Sequence, residues 1–313
     1  MNTGQKLECA VCGFISTNQK FKHVYRRKKW DLYECPECTF QFCWPMEQAP
    51  QDFFEKSYKD FGNISVKPTL DPRHKLLLKM LPIKTGTILD IGCGDKLLLP
   101  KLREDGFNVW GVDFNRKVIE KNSKLFKLKN LYALSIQDFA LLPSLPKFDL
   151  ITFFEVLEHI ENPKKFILII KKLLNNKGFV ALSVPDAKMF GQREKLVNSI
   201  PYHTAYWIEN TLKTFFSKNG FKIIVMKRIN RPDPATFLIN ILINLRVIKR
   251  TSSASNYDNW SGNVFQIPLR GSKSLLKKIT VFLFKIITFP LREVLYFLNI
   301  NRPTFFIIAR LKN

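Results

Sequence analysis

The sequence predicts an α/β protein whose mostly parallel sheet is preceded by a small cysteine-rich ribbon. Short apolar runs alternate with longer amphipathic stretches between residues 83 and 228, which is the pattern of strand–helix–strand units. Two Cys-x-x-Cys pairs precede this region, and a long basic and apolar segment follows it. The composition, 46% hydrophobic and 24% charged over 313 residues, is that of a folded protein and excludes a disordered chain.

The two Cys-x-x-Cys pairs in residues 1–45 predict a metal site. Each pair offers two thiolates from one tight turn, and the spacing is typical of tetrahedral Zn²⁺ in a zinc ribbon. Four thiolates leave no open coordination position, so this zinc would be structural. Disulfides are the alternative, and no signal peptide is visible to favour them. The predicted ligands are Cys9, Cys12, Cys35 and Cys38, whereas Cys43 and Cys93 are expected to be buried apolar side chains.

The other predicted elements follow the ribbon in a regular order. Residues 46–82 form a helical connector or lid that ends in a helix over 68–82. Residues 83–228 alternate strands and helices, so the core sheet should be covered on both faces. A helical insertion over 229–302 delays the last strand, which lies in 303–313. The predicted strands are TILDIG, NVWGVDF, LYALSI, FDLITFF, GFVALSV and TFFIIARL, and the helices among them are LLLPKLREDG, RKVIEKNSKLFK and NPKKFILIIKKLLNNKG.

The turn after the first core strand, in ILDIGCGDKLLL, predicts a nucleoside-binding loop. Gly92 and Gly94 would let the backbone approach a ligand, but the third glycine of a dinucleotide fingerprint is absent. A phosphate-binding Gly-Lys-Ser/Thr motif is absent as well. Asp113 and Asp138 follow the next two strands, where acids can accept hydrogen bonds from ribose hydroxyls and an adenine amino group. This combination favours a neutral or cationic nucleoside, such as S-adenosylmethionine.

Several motifs in this order resemble the class I S-adenosylmethionine-dependent methyltransferases. They are ILDIGCG, GVDF, QDF, FDLITFFEVLEHIENPKKFI and LLNNKGFVALSVPD. The head CAVCG…YECPECTFQFCWPM is similar to the zinc ribbon on methyltransferases of sugar and secondary metabolism. The resemblance covers about residues 7–228 and the last strand, and it implies a Rossmann-like sheet and methyltransferase activity. One position departs from it, because Lys96 stands where the family usually has glycine.

The resemblance also implies which residues contact each part of the cofactor. These are Asp90, Gly92 and Gly94 for the methionine part, Asp113 for the ribose, and Asp138 and Phe139 for the adenine, with Phe114 as a further cofactor-binding residue. The alternative for each aspartate is a helix N-cap or a turn residue. Three aspartates after successive strands favour the cofactor role.

The acceptor side is predicted in FFEVLEHI, at the carboxyl end of the fourth core strand. Glu155, Glu158 and His159 would share one face if this turn is helical. His159 could then remove the acceptor's proton, with a glutamate orienting it. The spacing also resembles the divalent-cation motif, for example for Mg²⁺, of methyltransferases that act on diols, with His203 as a later ligand. A purely structural pair at the start of a helix is the third interpretation.

The insertion and the net charge bear on the partners. The chain carries 50 Lys and Arg against 26 Asp and Glu, and this formal charge of +24 favours anionic partners. In residues 274–298 a broad apolar face lies opposite Lys277, Lys278 and Lys285, which is typical of a helix in an anionic membrane interface. A lid or a dimer contact is the alternative. We therefore expect a cytoplasmic protein, peripheral to the membrane if this helix binds lipid.

Two functions from different classes fit these patterns. The first is methyl transfer to oxygen or carbon of a small molecule, sugar, glycan or lipid-linked acceptor. The second is RNA methylation, with the ribbon and the basic surface holding phosphates. FFEVLEHI lacks the Asn-Pro-Pro-Tyr-like motif typical of enzymes that methylate base nitrogens. A scaffold without activity is a third interpretation, for which Lys96 is the only argument.

Overall fold

A computed structural model of the chain describes residues 7–15, 21–27, 30–47, 70–94, 97–187, 203–229 and 304–312. These residues belong to one compact unit of the chain. Lys96, most of the predicted connector and the predicted insertion, including the basic helix over 274–298, lie outside the described residues.

The described residues form strands and helices that alternate from Thr87 onward, as predicted. In chain order the strands are β1 (Lys22–Arg27), β2 (Trp30–Glu34), β3 (Gln41–Trp44), β4 (Thr87–Ile91), β5 (Asn108–Val112), β6 (Leu131–Tyr132), β7 (Phe148–Phe154), β8 (Leu174–Pro185), β9 (Ala205–Tyr206), β10 (Phe221–Ile229) and β11 (Thr304–Leu311). The helices are α1 (Pro72–Lys79), α2 (Leu98–Glu104), α3 (Arg116–Phe126), α4 (Ile136–Phe139), α5 (Pro163–Leu173) and α6 (Glu209–Lys218). A 3₁₀ turn spans Leu157–His159.

Within the described part of the chain, seven strands build the central sheet in the order β10-β11-β8-β7-β4-β5-β6. The five strands β8, β7, β4, β5 and β6, which are neighbours in that order, are parallel. β11 runs antiparallel to both of its neighbours, β8 and β10. The strand order reverses between β4 and β7, and sheets of this kind bind ligands at the carboxyl edge beside such a switch. The sheet is the Rossmann-like α/β sheet that the sequence predicts.

The last strand lies inside the sheet although residues 230–303 separate it from β10 in the sequence. Thr304 pairs with Ile229 on one side and with Pro185 on the other. The first six residues of β11 are buried, so both of its faces must be apolar or small. The two residues that flank the long segment therefore lie at the carboxyl edge of the sheet.

Four of the six described helices begin at polar residues that satisfy their first backbone N–H groups, whereas α2 and α6 begin at Leu97 and Ile208. Asp71, Asn115, Ser135 and Asn162 each accept a hydrogen bond from the first turn of the helix that follows. The buried residues of α5 recur at helical spacing, and four lysines with Leu168 and Ile169 occupy its other positions, so the helix covers the sheet with one face. These local signals explain why the helix starts agree with the sequence pattern.

The ribbon is a second, antiparallel sheet of four strands in the described residues, with the order β1-β2-β3-β9. Its fourth strand comes from the core part of the sequence, because Phe42 of β3 pairs with Ala205. Phe40 packs against Trp207 with ring centroids 4.8 Å apart, and both side chains are fully buried. The ribbon and the central sheet therefore share one continuous apolar core.

Several elements differ in length from their predictions, and α5 ends at Leu173 although the predicted helix NPKKFILIIKKLLNNKG runs to residue 178. Helix α1 is shorter than the predicted helix over 68–82, and β6 is shorter than the predicted strand LYALSI. β8 begins directly after α5, because Leu174 already pairs with Phe148 and Asn175 donates to the carboxylate of Asp149 at 2.7 Å. None of the helices in the described ranges is long and apolar enough to cross a membrane.

Candidate cofactor and acceptor site

The loop between β4 and α2 turns through two glycines in the left-handed conformation. Gly92 has a φ of +70° and Gly94 a φ of +50°, values that favour glycine. A Cβ atom at Gly92 would lie 2.7 Å from Cγ2 of Val156, so a side chain there would displace its neighbour. Asn122 of α3 donates to the carbonyl of Gly94 and fixes the turn. The predicted nucleoside loop therefore has the backbone that its role requires.

Asp113 directly follows β5 and faces the glycine turn. Its carboxylate accepts the backbone N–H of Gly94 at 2.9 Å and that of Asn115 at 2.8 Å. These bonds hold the carboxylate at the carboxyl edge of the sheet. Phe114, the next residue, is 38% exposed at the same edge. A carboxylate oriented in this way suits the two neighbouring hydroxyls of a ribose.

Asp90 lies inside β4, one residue before the end of the strand, and is 3% exposed. The hydroxyl of Thr152 donates to its Oδ1 at 2.6 Å. Burial raises the pKa of Asp90 to about 7, the bond from Thr152 opposes this rise, and the charge of Asp113 adds to it. A cation bound nearby would favour the ionised carboxylate, so this position suits a cationic ligand.

The two residues predicted at the adenine differ in burial. Phe139 is fully buried and packs on Tyr132 and Phe148, so it supports the edge of the sheet from the core. Asp138 is exposed, and its carboxylate accepts the hydroxyl of Ser135 at 2.6 Å. Ser135 is also the N-cap of α4. Asp138 therefore takes part in the start of α4 without being its N-cap, and its adenine role stays a prediction.

Glu155 lies outside the 3₁₀ turn that carries Glu158 and His159, so the helical turn on which their shared face depends does not include Glu155. Its backbone has a φ of +54°, so the chain leaves β7 in a left-handed turn. Its carboxylate lies 2.9 Å from Nη1 of Arg73 and accepts the hydroxyl of Ser183, also at 2.9 Å. Left-handed backbone in a residue other than glycine carries strain, and these contacts stabilise it here.

Arg73 of α1 is a charged residue at this edge that the sequence pattern does not indicate. Its side chain is 9% exposed and donates to both carboxylate oxygens of Asp71, each at 2.8 Å. Burial acts to lower the pKa of Arg73, but the carboxylates of Glu155 and Asp71 outweigh burial and raise it. The only local sequence signal is the helix start at Asp71 and Pro72, and it does not predict that Arg73 pairs with Glu155.

Glu158, His159 and His203 come together after β7. Their ligand atoms all lie within 4.8 Å of one another. The two imidazole rings meet edge to face with centroids 4.8 Å apart, and Nε2 of His159 lies 3.9 Å from Oε1 of Glu158. The 3₁₀ turn carries the first two residues, and His203 lies in the segment that leads into β9. The structure thus joins three of the four residues predicted for the acceptor side.

The surroundings of this cluster favour its uncharged forms. Burial raises the pKa of Glu158 well above its ordinary value, the charge of Glu155 adds to this rise, and Arg73 opposes it. Burial also lowers the pKa of His203 well below its ordinary value, and His159 lowers it further. Oε2 of Glu158 has no hydrogen-bond partner among the described residues. Two imidazoles and such a carboxylate are a donor set that fits a divalent cation.

The four predicted zinc ligands converge in the ribbon. Their sulfur atoms all lie within 4.8 Å of one another, and Cys9–Cys38 and Cys12–Cys35 are each 3.5 Å apart. A tetrahedral site with Zn–S bonds of about 2.3 Å has sulfur–sulfur edges of about 3.8 Å, so the cluster fits Zn²⁺. All six cysteines are free thiols, which gives no support to the disulfide alternative.

Both zinc knuckles are built by the same turn. Gly13 donates its N–H to the carbonyl of Cys9, and Thr39 donates to that of Cys35, each at 2.9 Å. Gly13 and Thr39 have φ angles of +79° and +59°. The hydrogen bond from Cys38 lowers the pKa of Cys9 to about 5, whereas burial raises the pKa of Cys35 to about 12. A bound cation would favour the thiolate form of all four ligands.

Comparison with known proteins identifies the family of the core. The family described as a methyltransferase domain matches residues 67–225, which are 159 of 313 residues and contain the glycine turn, Asp113 and the glutamate–histidine cluster. The chain belongs to this family. The predictions of a class I methyltransferase and of its Rossmann-like sheet are therefore confirmed. The cysteine ribbon lies before the matched residues.

Three curated relatives share the description ubiquinone biosynthesis O-methyltransferase. The chain is 34% identical to the Candida albicans protein over 104 residues, which cover 31% of this chain and 32% of the relative. It is 24% identical to the Dictyostelium discoideum protein over 222 residues, 56% of this chain and 68% of the relative. It is 32% identical to a Coxiella burnetii protein over 121 residues, 38% of this chain and 47% of the relative. The chain thus spans about a third to two thirds of these relatives.

Solved methyltransferase structures are also similar to this chain. A putative S-adenosylmethionine-dependent methyltransferase from Listeria monocytogenes has a TM-score of 0.48 at 15% identity, covering 77% of this chain and 97% of that chain. Magnesium protoporphyrin IX methyltransferase from Synechocystis, solved with bound SAH, has a TM-score of 0.44 at 18% identity. That similarity covers 58% of this chain and 92% of the Synechocystis chain.

Proposed function

We propose that the protein transfers a methyl group from S-adenosylmethionine to a hydroxyl oxygen of a small-molecule or lipid-linked acceptor. The observation that carries this proposal is the placement of two residue sets along one edge of the sheet. Gly92, Gly94 and Asp113 lie beside β4 and β5, and Glu158 and His159 follow β7 on the other side of the switch. Methyl transfer needs donor and acceptor to meet in line, and this arrangement favours such a meeting.

On the cofactor side, the residues of this chain bind and orient the nucleoside. Asp113 would accept the ribose hydroxyls, and the turn at Gly92 would admit the amino-acid part of the ligand. Asp90 would ionise beside the positive charge of the ligand, because its pKa of about 7 lies close to neutral pH. When bound, S-adenosylmethionine supplies a methyl group on a sulfonium centre.

On the acceptor side, we assign proton removal to His159. Its side chain is 13% exposed, whereas that of Glu158 is 2% exposed, so His159 is the more accessible of the two. Imidazole is the side chain that most often accepts a proton from a reacting group. His203 packs edge to face against His159 and restricts the orientation of its ring. Glu155 instead belongs to the ion pair with Arg73.

The same cluster fits a divalent cation, which Glu158, His159 and His203 would hold. A cation would satisfy the unpartnered Oε2 of Glu158 and would lower the pKa of a hydroxyl bound to it. Two imidazole ligands suit Zn²⁺ or Fe²⁺ better than Mg²⁺, which prefers oxygen ligands. This chemistry would assist the same proton removal, so it leaves the proposed reaction unchanged.

The descriptions of the curated relatives support oxygen as the acceptor atom and a small molecule as the substrate class. RNA methylation is the second candidate, and the observation that favours it is the formal charge of +24. Attraction of RNA by charge alone weakens steeply with salt and does not place a nucleotide in the site. We therefore favour a small-molecule acceptor over RNA.

The test is a transfer assay with methyl-labelled S-adenosylmethionine and competing acceptors. The acceptors are 3,4-dihydroxybenzoate, a prenylated catechol, a nucleotide sugar and a structured RNA. We expect label on a hydroxyl oxygen of one of the small molecules and none on the RNA at physiological salt. An Asp113→Ala variant serves as the cofactor-site control and should slow the transfer when S-adenosylmethionine is limiting. Label on the RNA alone would overturn the proposal.

A further inference from the structure

We propose that the zinc ribbon positions His203 against Glu158 and His159, with Cys43 as the positioning residue that makes the contact. The inference rests on the proposed function of that cluster and gives the ribbon a task on the acceptor side of the site. It would explain why the ribbon takes its fourth strand from the core part of the chain.

The first contact is between strands. β3 of the ribbon pairs with β9, the short strand that begins two residues after His203, through Gln41–Tyr206 and Phe42–Ala205. The backbone N–H of Cys43 donates to the carbonyl of Thr204 at 2.9 Å. The backbone that follows His203 is therefore held by the ribbon.

The second contact joins the same backbone to the turn that carries Glu158 and His159. Thr204 donates its N–H to the carbonyl of Glu158 at 2.9 Å, and its hydroxyl lies 3.3 Å from the carbonyl of Ile160. Thr204 is 1% exposed, so water does not compete for these bonds. Thr204 thus bridges the ribbon strand and the 3₁₀ turn.

The third contact acts on His203 itself. The thiol of Cys43 donates to the carbonyl of His203 at 3.6 Å, and the hydroxyl of Tyr206 donates to the same carbonyl at 3.2 Å. Cys43 is 0% exposed and Tyr206 is 2% exposed. Two buried donors on one carbonyl fix the peptide plane from which the imidazole projects.

Bound zinc should affect these contacts, because β3 follows directly after the second zinc knuckle. Cys35 donates its N–H to the carbonyl of Phe40 at 2.9 Å, and Phe40 stacks on Phe42 with centroids 5.7 Å apart. Loss of zinc should loosen these knuckles, because small zinc modules depend on the ion for their fold. The bonds that orient Asp113 come from Gly94 and Asn115, outside the ribbon, so cofactor binding should not change.

The four histidines of the chain make this testable by chemical modification with diethyl pyrocarbonate and mass spectrometry. The side chain of His23 in the ribbon is 49% exposed, and His74 in the core is 4% exposed. In the zinc-loaded protein His23 should react fastest and His74 slowest. A Cys38→Ser variant loses one zinc ligand of the ribbon and keeps the side chains of Glu158, His159 and His203. In this variant the rate of modification at His203 should rise about fivefold or more.

The same experiment can overturn the inference in two ways. An unchanged rate at His203 in the zinc-depleted Cys38→Ser protein would show that the ribbon does not hold it. A parallel rise at His74 would show that zinc supports the entire fold and not His203 in particular. Affinity for S-adenosylmethionine within about twofold of wild type should accompany the selective rise, since the cofactor contacts lie outside the ribbon.

A second variant tests Cys43 with zinc still bound. Cys43→Ala should keep one zinc per chain and wild-type cofactor affinity, while His203 reacts faster and turnover falls by roughly tenfold or more. Cys43→Ser should restore both properties, because its hydroxyl can donate to the same carbonyl. A wild-type modification pattern in Cys43→Ala would remove Cys43 from this role. The pattern requires no acceptor, so it is informative even if the proposed methyl transfer fails.

Discussion

Asp90 is a carboxyl group held inside the sheet, next to the place proposed for a cationic ligand. Burial raises its pKa from an ordinary 3.8 to about 7. Between these values the folded protein binds more protons at Asp90 than the unfolded chain does, so the free energy of unfolding falls as the pH rises. The contribution of Asp90 to stability is complete below about pH 4 and is lost above about pH 7.

An Asp90→Asn variant should therefore be more stable than wild type at pH 8 and weaker in cofactor binding. The amide keeps an acceptor for the hydroxyl of Thr152 and removes the buried charge. We expect a gain on the order of 1–3 kcal/mol in unfolding free energy at pH 8 and little change at pH 4. Urea unfolding at both pH values measures this. Equal destabilisation of Asp90→Asn at pH 4 and pH 8 would contradict the raised pKa of Asp90.

Replacing His159 with alanine should lower turnover about 100-fold or more, because the group proposed to remove the acceptor's proton is lost. Affinity for S-adenosylmethionine should stay within about twofold of wild type, since no cofactor-side residue depends on it. Steady-state kinetics and calorimetry measure the two effects. His23→Ala, in the ribbon, is the matched control and should leave turnover unchanged.

A chelator distinguishes proton removal by His159 alone from proton removal assisted by a divalent cation at Glu158, His159 and His203. If a cation takes part, activity should be lost with the chelator and return with one divalent metal but not with another. An activity that resists the chelator while His159→Ala abolishes it would assign proton removal to the imidazole alone. Wild-type turnover in both experiments would make the cluster structural and would remove His159 from the reaction.

The site residues that sequence reasoning finds are those whose geometry depends on near neighbours. Gly92 and Gly94 turn the chain directly after β4, and Asp113 follows β5, so short motifs are sufficient to locate them. Arg73 and Ser183 are different, because they meet Glu155 only through the folded sheet. No local pattern predicts that the carboxylate of Glu155 is already bonded to an arginine from α1.

Among the elements, the ribbon depends most directly on a ligand outside the polypeptide. Its four cysteines fit tetrahedral zinc, so protein purified without added metal should contain one zinc per chain. Elemental analysis measures the content, and Cys38→Ser should lower it because one of four ligands is lost. Cys43→Ser should retain the metal, since Cys43 lies outside the cluster. A metal-free protein with a fully folded ribbon would contradict the zinc site.

The sequence predicts the order of the strands and helices better than it predicts which strands pair with each other. The strand–helix alternation follows from local periodicity and capping residues. β9 has only two residues, and no periodicity indicates a strand of that length. Its pairing with β3 arises from tertiary packing of Phe40 against Trp207, which sequence spacing does not reveal.

For the whole molecule, the excess of positive charge predicts an anionic surface as a partner. Residues 274–298 combine a broad apolar face with lysines, and each basic residue near an anionic membrane contributes about 1 kcal/mol. We expect liposome flotation to recover the protein with anionic lipid, less with zwitterionic lipid, and less at high salt. This segment lies outside the described residues, so the prediction rests on its sequence.

The control for membrane binding changes the apolar face only. Phe282→Glu with Ile286→Glu should release the protein from anionic vesicles and leave its affinity for S-adenosylmethionine unchanged. Phe282→Leu with Ile286→Leu keeps the face apolar and should still float. If the glutamate pair unfolds the protein or breaks a dimer, the face is an internal contact and the membrane proposal is wrong.

We propose that the carboxyl edge beside β4 and β5 binds S-adenosylmethionine, and calorimetric titration measures this binding. The wild-type protein should bind one S-adenosylmethionine per chain. Asp113→Ala should lose about 1–3 kcal/mol of binding free energy, roughly 5- to 150-fold in affinity, because a half-buried acceptor is removed from its donors. Asp105→Ala, at the exposed end of α2, should bind as wild type does. Failure of the wild type to bind would rule out this site, and wild-type affinity in Asp113→Ala would remove Asp113 from the ribose contact.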